Sequence, residues 1–98
     1  MRKKHYETVV CADGFEMSVQ ASRGHYCNPR EDAGPYTAVE IGFPSRREAL
    51  LMPHIELADQ PPLESVYPYV PAKVVMEVIL KHGGRVSGEL PPLNLRGV

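Results

Sequence analysis

His25-x-Cys27, a second thiol at Cys11 and three further histidines are the residues here whose types could hold a metal or attack a substrate. Structural zinc takes four ligands, commonly as two closely spaced pairs such as C-x₂-C. This chain offers one close pair, and Cys11 sits in an alternating run on the face opposite the expected core. A Cys27 nucleophile with His25 as its base needs the loop to fold back, and no third residue to orient the base is apparent. A Cys11–Cys27 disulfide is geometrically conceivable but runs against the reducing compartment expected below. The plainer reading is a small strand residue and a loop thiol. Gly83-Gly84-Arg85 resembles a phosphate loop only superficially: it follows a helix, whose end presents carbonyls, whereas phosphate is bound by the N–H groups of a helix start.

A second constellation is acidic. Glu48, Glu56, Asp59 and Glu64 lie in a stretch that carries no Lys or Arg between Glu48 and Tyr69, and Tyr67 and Tyr69 close it. Carboxylates without cationic neighbours suit a basic partner surface, and Tyr supplies a large rigid apolar body with a polar tip. Glu48, Glu56, Asp59, Glu64, Tyr67 and Tyr69 are therefore the expected partner-binding residues. The plainer alternative is solvated surface acids, with both tyrosines packed on a neighbouring helix.

Composition bounds what such sites could serve. Ninety-eight residues make one expected domain, 1–98, long enough for a single core. Eleven basic and 12 acidic residues give a net charge of −1, which argues against a general nucleic-acid binder. Arg2, Lys3 and Lys4 read as a solvated basic start. No apolar run approaches the ~20 residues of a membrane span, and no secretory signal is visible. The expected location is the cytoplasm, with reduced cysteines and no cofactor.

These residues must be positioned by a small α+β fold. Two alternating runs in residues 5–22 meet at Asp13-Gly14, a dipeptide that favours a two-residue type I′ hairpin turn. That turn pairs Ala12 with Phe15, Val10 with Met17, Thr8 with Val19 and Tyr6 with Ala21, and puts all eight on one buried face. Residues 23–36 form a loop rich in Gly, Pro, Asn and Asp. Thr37, Val39, Ile41 and Phe43 share one face of a third strand, ended by Pro44 and expected beside the hairpin. Leu50, Leu51, Met52, Ile55 and Leu57 are apolar enough for a core, and Pro61-Pro62 to Pro71 reads as extended. A helix spans 71–82, with Lys73, Glu77 and Lys81 as its polar stripe, the remaining apolar surface deeply buried, and Gly83 as its stop. Residues 85–87 could add a strand, and the tail from Pro91 reads as extended or disordered. The expected architecture is an antiparallel sheet of three or four strands with an N-terminal hairpin and one C-terminal helix packed on one face.

The run Ala12-Asp13-Gly14-Phe15-x-Met17-Ser18-Val19-Gln20-Ala21-Ser22 carries a resemblance together with His25-Tyr26-Cys27-x-Pro29-Arg30, Gly34-Pro35-Tyr36, Tyr69-Val70-Pro71 and Lys81-His82-Gly83-Gly84. Over residues 5–88 the chain resembles a family of small proteins of bacteriophages and bacterial mobile elements. Phage proteins of this size include inhibitors of bacterial defence, anti-CRISPR proteins among them. The resemblance implies a stoichiometric protein–protein blocker, not an enzyme, whose partner is a defence-complex protein such as a CRISPR effector subunit with a basic surface. It carries no catalytic motif and transfers no site residue. Two alternatives of other classes stand beside it: a zinc- or thiol-dependent protein using Cys11, His25 and Cys27, and a homodimeric assembly module joined through an exposed strand edge.

Overall fold

A computed structural model describes residues 5–96, so the basic start at Arg2, Lys3 and Lys4 lies outside the described residues. The elements run β1 (Val9–Cys11), β2 (Glu16–Gln20), β3 (Ala38–Gly42), β4 (Val66–Pro71), α1 (Ala72–Lys81) and β5 (Arg85–Ser87), with single 3-10 turns at Met52–His54 and Pro62–Glu64. The strands form one antiparallel sheet in the order β4-β3-β2-β1-β5. The α+β class, the hairpin and the C-terminal helix are as the sequence predicts; the sheet has five strands where three or four were expected, because β4 and β5 both join it.

The hairpin register differs by one residue. Val9 pairs with Met17 and Val10 with Glu16, and the Cys11 N–H donates to the Phe15 carbonyl at 2.8 Å. The loop is therefore the three residues Ala12-Asp13-Gly14. The Gly14 N–H closes a turn onto the Cys11 carbonyl, and Gly14 takes the left-handed conformation at φ 92. Asp13 does not need positive φ; its Oδ1 accepts the Phe15 N–H at 2.9 Å instead. This is a type I turn closed by a left-handed glycine, and Asp at its second position stabilises it through that side-chain bond. A one-residue slip exchanges the two faces of a strand. Val9 and Cys11 consequently enter the core, while Thr8 and Ala12 are exposed and Tyr6 and Val10 half-buried. Placing Cys11 opposite the core is corrected on the same ground.

On the other strand Phe15, Met17, Val19 and Ala21 are buried as expected. β3 pairs with β2, and Val39 and Ile41 face the same core. Phe43 leaves it at φ 50 and is exposed. In β4 the register shifts between Val39 and Ile41, so that Val70 lies opposite Val39 and Tyr67 opposite Ile41. This bulge lets two residues three positions apart both point inward, and it leaves Tyr69 outside at φ 54. Each fully buried Phe15, Ile41 or Leu51 contributes roughly 1.5–3 kcal/mol of transfer free energy.

Pro71 ends β4 and caps α1 at its N-terminus. The helix ends in a Schellman pattern: Gly83, at φ 90, donates to the Leu80 carbonyl and Gly84 to that of Ile79. α1 buries Ala72, Val75, Val78 and Ile79 but leaves Val74 and Met76 half-exposed and Leu80 70% exposed. It is less buried than its composition predicts because it shares the core with the segment before β4. Leu51 is buried there, with Leu50, Met52 and Ile55 packed against the same cluster, while Leu57 is exposed. The tail does not float free: the Tyr36 N–H donates to the Pro92 carbonyl at 2.8 Å and the Asn94 N–H to that of Tyr36 at 2.7 Å.

Candidate functional surface and the ion network beside it

The structure divides the six acidic and aromatic candidates. Glu48, only 2% exposed, follows β3 by a short segment and faces the end of α1. Its Oε1 lies 2.6 Å from His82 Nε2, and its Oε2 accepts bonds from Lys81 Nζ at 2.7 Å and the Leu50 N–H at 2.9 Å. Burial pushes this carboxyl up, but Lys81, the Leu50 N–H and His82 together hold it below the usual glutamate value. The other ring nitrogen of His82, Nδ1, lies 2.6 Å from Asp13 Oδ2. Asp13 is lowered first by the Phe15 N–H and then by His82, and Arg46 reaches it at 3.2 Å. The Phe15 ring stacks on the imidazole, with centroids 4.1 Å apart and planes within 10°.

A general base needs one ring nitrogen free to meet a substrate proton. Both nitrogens of His82 face carboxylate oxygens, and both contacts are hydrogen bonds when the ring carries two protons. The arrangement ties the hairpin turn, the segment around Glu48 and the end of α1 together. It is a brace. Glu48 therefore turns inward, away from a partner.

Tyr67 is also buried, and its hydroxyl donates to the Pro62 carbonyl at 2.7 Å; burial pushes its phenol pKa up. Glu56, Asp59 and Glu64 are exposed, and Tyr69 is 49% exposed. The three acids belong to one feature. The Glu56 N–H donates to the Val66 carbonyl at 3.0 Å, which pins segment 56–64 beside the start of β4. Exposed Leu57 and Leu63 lie within that segment, and exposed Phe43 reaches the same place through its N–H bond to the Ser65 carbonyl. Acidic and apolar side chains are thus displayed together at one end of the edge strand.

A second exposed cluster stands at the other end. The Tyr69 N–H donates to the Tyr26 carbonyl at 3.1 Å, and their rings approach to 5.9 Å. The Arg30 guanidinium lies 5.3 Å over the Tyr26 ring. Loop 23–36, which supplies Tyr26 and Arg30, is tied down from within: buried Tyr36 donates its hydroxyl to the Glu31 carbonyl at 2.7 Å.

The metal and thiol candidates are not brought together. Among the described residues no group of three or more His, Cys, Asp or Glu side chains is placed to hold a metal ion. Cys11 and Cys27 are free and buried, and burial is the main cause that raises both thiol pKa values. Cys27 Sγ donates to the Ser22 carbonyl at 3.1 Å, while His25 Nδ1 faces the Ser22 hydroxyl at 2.7 Å and not the thiol. A raised, buried thiol is a poor nucleophile. Also among the described residues, no helix is long and apolar enough to cross a membrane.

The brace itself is absent from the sequence reading, where His82 figures only in the run Lys81-His82-Gly83-Gly84. Comparison with protein-family models, with curated proteins and with solved structures finds no match for the chain. What the geometry defines is the class: a small α+β protein with an open five-stranded antiparallel sheet and an acidic, apolar display at one edge.

Proposed function

We propose that this chain is a stoichiometric binding protein that lays segment 56–64 onto a basic surface of its partner. The observation that carries this reading is the joint exposure of Glu56, Asp59 and Glu64 with Leu57, Leu63 and Phe43 at the start of β4. Apolar side chains supply desolvated anchors in an interface, and surrounding charges supply steering and register. Tyr69 and loop 23–36 extend the contact along the edge. In keeping with the resemblance, the protein is of phage or mobile-element origin and its partner is a bacterial defence-complex protein, such as a CRISPR effector subunit. It acts in the host cytoplasm by occupying a surface, without reacting with its target or contacting nucleic acid directly.

The test is a plasmid-interference assay in bacteria carrying a defined CRISPR effector, with this chain expressed in trans. The wild type is expected to restore plasmid survival. The variant E56K/D59K/E64K, with an unchanged circular dichroism spectrum and melting temperature, is expected to lose at least about 100-fold of that effect, as about 2.8 kcal/mol of lost binding would give. Equal activity of the variant sinks the acidic-surface mechanism. Failure of the wild type across effector types, alongside salt-sensitive capture of some other complex, sinks the CRISPR assignment but keeps the binding surface.

A further inference from the structure

Part of the acidic and apolar display stands on the two ends of one excursion of the chain. Beyond β3, residues 44–55 run out to the end of α1 and come back beside the start of β4. The Phe43 N–H donates to the Ser65 carbonyl at 3.2 Å and the Glu56 N–H to the Val66 carbonyl at 3.0 Å, so both ends are pinned to neighbouring residues. Exposed Phe43 stands at one end, and exposed Glu56 and Leu57 at the other. The outgoing limb is fixed to β2: the Ser45 N–H donates to the Glu16 carbonyl, and the Ser45 hydroxyl accepts the Glu16 N–H, both at 2.8 Å. It then reaches the brace, where Arg46 lies 3.2 Å from Asp13 and Glu48 meets His82 and Lys81.

The return limb hangs from Glu48. The Glu48 carboxylate accepts the Leu50 N–H at 2.9 Å, and the Glu48 carbonyl accepts the Leu51 N–H at 3.0 Å. The His54 N–H then donates to the Leu51 carbonyl at 2.9 Å and the Ile55 N–H to that of Met52 at 3.2 Å, which brings the chain to Glu56. One hydrogen-bonded turn after another thus joins the end of α1 to the display. Two grips hold this limb: wholly buried Leu51 on its apolar side and the Glu48 carboxylate on its polar side. Both must let go for the limb to open, so each sets part of the cost. Packed and hydrogen-bonded runs of this kind carry coupling between distant residues. We propose that His82 and Glu48 are positioning residues for the display: they fix the return limb, and through it the place of Glu56 and Leu57 beside β4. The purpose of the display rests on the binding reading above, but the positioning does not. Its test contains no partner, so either can fail without the other.

The experiment is amide hydrogen exchange of the full chain, read residue by residue by NMR, in the wild type, His82→Ala and Glu48→Gln. Glu48→Gln keeps the length of the side chain and an oxygen for the Leu50 N–H. It removes the charge that meets the imidazole and the Lys81 ammonium. The reference amides are Asn28, Tyr36 and Asn94, which donate to the Ala38, Pro92 and Tyr36 carbonyls at the opposite end of β3. Global unfolding opens both sets alike, whereas release of the return limb speeds only Leu51, His54, Ile55 and Glu56. Relative to the reference amides, those four are expected to exchange at least about tenfold faster in His82→Ala and at least about threefold faster in Glu48→Gln. Equal acceleration of the two sets overturns the proposal, because the brace would then stabilise the whole chain without positioning the limb. A selective effect in His82→Ala that Glu48→Gln does not share overturns it too, since the lost stack on Phe15 would then be the cause. Should His82→Ala not fold, Glu48→Gln decides alone by the same comparison.

Discussion

Removing the imidazole at the centre of the brace should cost more than any surface change nearby. In His82→Ala, Glu48 stays buried but loses the partner at 2.6 Å from its Oε1, keeping only Lys81 and the Leu50 N–H. Losing a hydrogen bond to a buried charged group costs about 1.5–3 kcal/mol. The lost stack on Phe15, at 4.1 Å, adds about 0.5–1.5 kcal/mol. The Asp13 contact faces solvent and is screened. The expected destabilisation is about 3 kcal/mol, which for a domain of this size lowers the melting temperature by roughly 12–24 °C. Lys81→Ala removes the other side-chain donor to the same buried carboxylate; its ammonium is half-exposed and no ring stack is lost, so about 1–2 kcal/mol is expected, less than for His82→Ala.

Urea denaturation of His82→Ala, Glu48→Ala and the double variant apportions the cost. Glu48→Ala should cost at least about 1 kcal/mol less in the His82→Ala background than alone, because the buried carboxylate has already lost its partner. Acidification gives a second readout. Glu48 and Asp13 are both held below their ordinary values of 4.5 and 3.8. Their contribution is therefore present above those values and is lost as pH falls through the lower, folded-state ones. The gap between wild type and His82→Ala should narrow from about pH 5 downward, since protonated carboxyls no longer carry the charge that the ring contacts stabilise. A His82→Ala cost under about 1 kcal/mol, strict additivity, or a gap independent of pH would refute the brace.

Two further perturbations probe the fold around it. Gly88 sits at φ 89, where a Cβ would lie 2.0 Å from the Thr8 carbonyl oxygen, so Gly88→Ala should cost about 3 kcal/mol or more and detach β5 from β1. Gly24→Ala, whose Cβ meets only Ser22 Oγ at 3.6 Å, should stay within about 0.5 kcal/mol on the same urea curve; similar costs for both would show that the close approach of β5 is misplaced. Cys11 and Cys27 should react with a colorimetric disulfide reagent at least about 100-fold more slowly in native protein than in urea, as neutral buried thiols do. Rapid native labelling of either would restore it as a reactive site.

Most elements were legible because their signals are local. Val74 to Leu80, followed by Gly83-Gly84, announce a helix and its stop without reference to the rest of the chain. The alternation of Thr37 to Phe43 likewise announces a strand. Register was not legible, although its determinant is also local. Asp13-Gly14 is compatible with a two-residue turn and with a three-residue turn, and only the Asp13 side chain bonding to the Phe15 N–H selects the latter. The β4 bulge was hidden for a related reason. Tyr67 and Val70 are spaced for neither a regular strand nor its partner's period, and the positive φ of Tyr69 that reconciles them is not a tyrosine preference.

The candidate acids show where reading by chain neighbours runs out. Glu48 heads the stretch free of Lys and Arg and Glu56 lies within it, yet one is buried in an ion network and the other exposed. Arg46 and Arg47 stand directly before Glu48 along the chain, yet the groups that bond it, Lys81 and His82, arrive from 33 and 34 residues away, and Asp13 joins them through His82 across 69. Charge along the chain therefore does not tell which acids the fold engages. Glu48 is engaged because the Schellman ending of α1 directs Lys81 and His82 back over the hairpin turn. Glu56, Asp59 and Glu64 belong to the feature proposed for binding because the Val66 carbonyl fixes their segment at the edge of the sheet, on the far side of β3 from that turn. Folding thus sorts four equivalent carboxylates into one that stabilises the chain and three left at its surface.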